Sequence, residues 1–278
     1  MRCAAVVLVA GCGFAPATPG DGSDGSGGSG GADASAMFDS TAQLDGAAAT
    51  ADYDGDGIPD ALDFCPHVKN ALNPDTDHDG VGDDCDPRPG LRDARVFWST
   101  FDDPLEINSW NGVGAWSVQS GEAVQGSTNN SISYLQVPIV VNRAYVATRL
   151  VSGTLSGSGN PAVGVRIRTT SGHVYGCAFQ RAMGTVSTAA TTNTTQSTLG
   201  TWSTNQIAGK PYPVTEDLSV PTNRNGCEFF DPVAGTTSSV TSPYATGEAI
   251  PPAGHVELTT VSATAAYEYL FIVDTAPP

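Results

Sequence analysis

Two stretches of the chain, DYDGDGIPDALD at residues 52–63 and DTDHDGVGDDCD at residues 75–86, each carry aspartates at positions 1, 3, 5, 9 and 12 of a twelve-residue window. The first set is Asp52, Asp54, Asp56, Asp60 and Asp63; the second is Asp75, Asp77, Asp79, Asp83 and Asp86. No other feature limits the fold as much, because carboxylates drawn to one point repel unless a cation holds them. Gly57 and Gly80 fall at position 6, where a calcium loop turns sharply. Ile58 and Val81 fall at position 7, where the backbone carbonyl faces the ion. Calcium accepts about six to eight hard oxygens in irregular geometry, whereas magnesium prefers to keep several waters. The spacing therefore predicts Ca2+ as the bound ion, with folding of the segment coupled to it. Tyr53, Ile58, Leu62, Phe64, Val68, Leu72 and Val81 are nearly all its apolar material, too little to close it unaided.

An EF-hand shares the early spacing but needs a glutamate at position 12 and flanking helices. Here the twelfth residues are Asp63 and Asp86, and Pro59, Pro66, Pro74, Pro87 and Pro89 interrupt any helix. A solvated acidic linker without an ion is the other rival, yet chance enrichment in aspartate would rarely keep one register twice. The segment instead resembles thrombospondin type 3 repeats, with their D-x-D-x-D-G-x-x-D-x-x-D pattern and following cysteine, down to the Cys65-Pro66 pair. That resemblance implies calcium ligands on the ten aspartates, with carbonyls from Ile58 and Val81. It also implies little regular secondary structure and cysteines linking neighbouring repeats. Thrombospondins string many such repeats together; this chain has two.

Charge follows the same division. The net charge of −17 splits into −4, −9 and −4 over residues 1–50, 51–90 and 91–278, so the acidity is concentrated in the short middle segment. Lys69 and Lys210 are the only lysines, and no basic patch occurs, which argues against nucleic acid as a partner.

The start, MRCAAVVLVAGC, has an apolar run from Cys3 to Ala10, too short to span a bilayer and suited to a short signal peptide at residues 1–12. Val9–Cys12, VAGC, resembles the bacterial lipobox, which implies lipidation at Cys12 and a membrane anchor. Gly13 is not the aspartate that directs inner-membrane retention, which points to the outer membrane or cell surface. Residues 13–50, rich in Gly, Ser and Ala, read as a flexible spacer. Setting Cys3 and Cys12 aside leaves four cysteines with three possible pairings. Sequence proximity favours Cys65–Cys85 and Cys177–Cys227, and disulfides suit an exported chain.

From Val96 onwards, strand-like runs alternate with Gly, Asn, Ser and Pro turns. Candidate strands are 131–140, 143–152, 162–170, 173–181, 255–264 and 266–274. In the third, Val163, Val165 and Ile167 alternate with Gly164, Arg166 and Arg168; in the last, Tyr267, Tyr269, Phe271 and Val273 share one period. The Thr- and Ser-rich stretch 185–226 reads as long loops. Closely spaced strands without helices predict an all-β, antiparallel β-sandwich over residues 91–278. FWSTFDDPLEINSWNGVGAWSVQSGEAVQ, residues 97–125, and the closing YEYLFIVD resemble concanavalin A-like, laminin-G-like jelly rolls. There the first and last strands pair; an immunoglobulin-like sandwich is the main rival.

Trp98, Trp110, Trp116 and Trp202 could stack on sugar rings, but core packing explains them more simply. Jelly-roll glycosidases place alternating acids on one strand, and no such motif occurs; the adjacent Glu216 and Asp217 would face opposite ways. His173 and His255 lack a nearby nucleophile pattern. The expectation is a non-enzymatic, calcium-stiffened envelope protein recognising a polysaccharide or an extracellular protein, the aspartate segment forming a strut. A carbohydrate-active enzyme and a purely structural envelope protein are the alternatives.

Overall fold

The computed structural model describes residues 50–128, 132–155, 161–182, 185–193, 195–202, 206–207, 212–219, 224–231, 235–245 and 253–276. The expected signal peptide with Cys12, and the expected spacer up to residue 49, lie outside the described residues.

Residues 50–93 form turns and bends. Sixteen strands follow among the described residues: β1 (Ala94–Ser99), β2 (Asn111–Val113), β3 (Trp116–Val118), β4 (Ala123–Gln125), β5 (Ile132–Gln136), β6 (Ala144–Thr154), β7 (Ala162–Thr169) and β8 (Val174–Ala182). Then come β9 (Thr185–Thr192), β10 (Thr195–Trp202), β11 (Gln206–Ile207), β12 (Tyr212–Ser219), β13 (Arg224–Asp231), β14 (Thr236–Pro243), β15 (Gly254–Val261) and β16 (Thr264–Asp274). They form two antiparallel sheets. Sheet A runs β14-β13-β12-β6-β16-β4-β3, with β1 also on β16 and β11 on β6; sheet B runs β10-β9-β8-β7-β15-β5-β2. The fold is the all-β jelly-roll sandwich expected, and its first and last strands pair, Trp98 opposite Phe271.

All six candidate strands form, although the first stops at Gln136, shortly before Pro138. The stretch 185–226 is different from the expectation. Its described residues lie largely in β9, β10, β11 and β12, where long loops were expected. Threonine is β-branched and fits a pleated strand, so polar composition misleads there.

Val163, Val165 and Ile167 enter the core between the sheets, as their alternation requires. Cys177 of β8 and Cys227 of β13 form a disulfide, both buried, and so staple sheet B to sheet A. Phe179 and Phe229 meet beside it with ring centroids 5.0 Å apart. Tyr267 lies wholly buried and bonds three backbone groups of sheet B: its hydroxyl donates toward the Gly164 and Thr259 carbonyls and accepts from the Gly164 amide. A Cβ on Gly164 would lie 1.9 Å from the Cys177 carbonyl oxygen, so only glycine lets these strands approach.

The expected common face of β16 is split. The register shifts between Tyr267 and Leu270, leaving Tyr267, Leu270 and Ile272 in the core and turning Tyr269, Phe271 and Val273 outward. That outer face is covered. Cys65, Val81 and Cys85 pack with Trp98, Ala147, Tyr269, Phe271 and Val273 in a second buried cluster, flanked by Tyr53, Val68 and Tyr145. The aspartate segment, expected to form a strut, therefore lies along sheet A. A strand buried on both faces is apolar on both, which explains the run YLFIV.

Candidate metal centre

The Cys65–Cys85 disulfide, almost fully buried, ties the two aspartate loops together. Around it the backbone winds so that its own amides bind the aspartates. In the first loop the Asp52 carboxylate accepts from the Gly55 and Gly57 amides at 2.8 and 2.9 Å. Asp56 accepts from Ile58 at 2.8 Å and from Asn70 at 2.9 Å; Asp60 accepts from Tyr53 at 2.8 Å; Asp63 accepts from Cys65 at 2.8 Å. Each bond has a counterpart 23 residues on. Asp75 accepts from His78 and Gly80, Asp79 from Val81 and Asp93, Asp83 from Thr76, and Asp86 from Arg88. Gly57 and Gly80 hold φ of 100° and 90°, the left-handed turn that position 6 demands.

This winding gathers Asp52, Asp54 and Asp56 so that one oxygen from each lies within 4.8 Å of the others, and does the same for Asp75, Asp77 and Asp79. Asp60, Asp63, Asp83 and Asp86 stand outside these triads. Asp60 also faces the sandwich, with the Trp98 indole donating at 3.4 Å. Ile58 and Val81 follow the turning glycines, Val81 wholly buried.

Charge is poorly matched by protein groups alone. Burial, then the Asp56 carboxylate, pushes Asp54 up to about 6. Burial, then Asp93, does the same to Asp86. Burial also raises Asp60 and Asp63. Asp83 is held low by the Thr76 hydroxyl and amide. The Oδ2 atoms of Asp54 and Asp63 are buried with no hydrogen-bond donor. An acceptor-only oxygen turned inward without a donor is what a hard cation completes, so these residues fit calcium. Bound there, the ion would offset most of the triad's negative charge and stabilise the deprotonated aspartates.

Residues 39–72 match the thrombospondin type 3 repeat. The matched stretch contains the first loop and Asn70; the second loop lies beyond it and repeats its bonding. No curated protein matches the sequence. Among solved structures, peanut lectin in complex with a nine-residue peptide is similar at 14% identity and a TM-score of 0.46, over 64% of this chain and 95% of its own. The carbohydrate-binding module CBM66 from Bacillus subtilis gives 14% and 0.40, over 57% and 91%. A prokaryotic β-1,3-1,4-glucanase (lichenase) from a mouse hindgut metagenome gives 10% and 0.44, over 63% and 97%. At these identities and scores the likenesses bring no residue roles with them.

Several residues that matter here carry no motif. His67 lies against Trp98, Tyr269 and Phe271, 4.5 Å from the last ring centroid. Its Nδ1 is buried without a partner, and burial, with Arg149 and Arg95 nearby, pushes its pKa down to about 3. Arg149 of β6 pairs with Glu268 at 2.6 Å and donates to the Tyr53 hydroxyl, linking the first loop to sheet A. Arg95 likewise donates to the Asp63 carbonyl. The outward apolar residues of β16 were the one available signal for this docking.

Proposed function

We propose that this is an exported calcium-binding recognition protein, non-catalytic and lipid-anchored through Cys12. In this reading each aspartate loop takes calcium and the loaded segment is clamped to a β-sandwich that meets a glycan or protein outside the cell. The repeated amide cage with its inward, donorless Asp54 and Asp63 oxygens carries the calcium half. The two disulfides suit an oxidising compartment, and the VAGC sequence supports the anchor. The recognition half is supported by two cavities of about 360 Å³ where segment and sandwich meet, one beside Asp52 and Glu122, the other beside Asp86 and Glu228.

Among the sandwich acids, Glu257 is fully buried between Arg166 and Arg168, Glu268 is held by Arg149, and Asp274 accepts from the Asn142 and Arg143 amides. Such pairing favours structural duty over proton transfer. Isothermal titration of the full chain should show at least one calcium per loop, and Asp54→Asn should weaken the first loop by about tenfold or more. Absence of any heat at millimolar calcium would remove the calcium half of the reading.

A further inference from the structure

The second of these cavities has a definite chemistry. Asp86 and Pro87 of the second loop form one wall beside Tyr145 of β6, and Glu228, Ser239 and Thr241 form the other. Strand register explains the grouping. Across β13 and β14, Glu228 pairs with Ser239 and Gly226 with Thr241, while Cys227 and Val240 between them turn into the core. Alternate residues share a face, so the hydroxyls and the carboxylate stand together on the outside of sheet A. Gly226 lines the floor and, having no side chain, leaves it open.

The lining mixes groups that a sugar uses at once. Ionised carboxylates accept hydrogen bonds only, whereas serine and threonine hydroxyls both donate and accept. A half-buried tyrosine ring and a proline offer apolar surface to C–H groups. The volume of about 360 Å³ falls at the lower end of small-molecule sites, ~300–1,000 Å³. Among the described residues no lysine or arginine lines the cavity, and its two acids repel anions. Asp86 occupies the twelfth position of a calcium loop, and Glu228 already accepts from Ser239 at 3.2 Å.

We propose that this cleft binds a neutral saccharide unit, and that calcium in the second loop holds the wall made by Asp86 and Pro87. The assignment rests on the recognition reading and gives it a site and a ligand class. Calcium and saccharide must then strengthen each other's binding by the same factor.

The test uses the full, calcium-loaded chain titrated with cellotetraose, laminaritetraose, xylotetraose and mannotetraose, with tetragalacturonate as the anionic arm. At least one neutral tetrasaccharide should bind, and tetragalacturonate should bind about tenfold more weakly or not at all. Glu228→Gln and Ser239→Val should each weaken that binding by about tenfold while leaving the thermal midpoint and calcium titration unchanged. Tyr145→Ala should weaken sugar binding too, with a lowered thermal midpoint because the ring also packs against the buried cluster beneath the aspartate segment. Chelation should also weaken it. Neutral-sugar binding that survives Glu228→Gln and Ser239→Val overturns the cleft but leaves recognition by the sandwich standing. No binding by any of the four overturns the saccharide assignment altogether, while calcium titration still judges the metal loops. Tighter binding of tetragalacturonate overturns the ligand class. Equal affinity with calcium and with chelator overturns the coupling.

Discussion

In the first aspartate loop Asp60 and Asp63 are almost fully buried, at 2% and 1% exposure, and Asp60 meets the Trp98 indole. In the second, Asp83 turns to the Thr76 side chain near solvent and Asp86 borders an open cleft. Both loops use one spacing and one set of amide bonds. They differ in what lies behind them. Behind the first stand Trp98, His67 and the aromatic face of β16; the second reaches that cluster through Val81 and Cys85 and is otherwise backed by the Arg88–Asp93 ion pair. Spacing shapes a loop, then, while tertiary contact decides how firmly it is held and which conditions release it.

Trp98→Ala should have the largest effect. Truncating a buried tryptophan costs about 3–5 kcal/mol, and Trp98 is 8% exposed against the first loop and β16. Hydrogen exchange in saturating calcium should show residues 52–63, which touch Trp98 through Tyr53 and Asp60, losing more protection than residues 75–86, which share its cluster through Val81 and Cys85. Equal loss in both loops would mean that the segment docks as a single unit.

His67 tests the same boundary through pH. Its folded pKa is pushed down to about 3 from an ordinary 6.5, so the undocked form takes up a proton first. Docking stability is then full above pH 6.5 and falls as pH drops from there toward 3, by at most about 1.4 kcal/mol per pH unit. Urea midpoints at pH 7 and pH 5, both in saturating calcium, should separate for the native chain. His67→Phe should flatten the difference.

The smallest effect belongs to the second loop. Thr76→Val removes the hydroxyl that donates to Asp83 at 2.7 Å. A single exchanged hydrogen bond contributes about 0.5–1.5 kcal/mol, so calcium binding at the second loop should weaken less than about tenfold. The first loop should not respond. A change there would show coupling through Cys65–Cys85.

Much of the molecule was legible residue by residue. The alternation of Val163, Val165 and Ile167 placed β7 correctly because a strand's side chains alternate regardless of what it packs on. The register of the two aspartate sets was equally local, since a loop of amides binds carboxylates at fixed offsets. The stretch 185–226 was harder, because threonine serves both loops and strands and only the facing sheet chooses between them. The role of His67 was invisible: nothing near Cys65-Pro66 in the sequence names Phe271 as its neighbour.

Local order along the chain thus determined the two calcium-type loops, the alternating strands and the all-β class, because hydrogen-bond offsets and strand period depend on neighbours in sequence. Tertiary structure alone decided that Tyr267 and Phe271 face opposite ways and that the aspartate segment lies on sheet A. It alone opened a cleft between Asp86 and Glu228. Those outcomes depend on apolar surface and backbone groups brought together from more than a hundred residues apart, and surface burial carries no record of sequence distance.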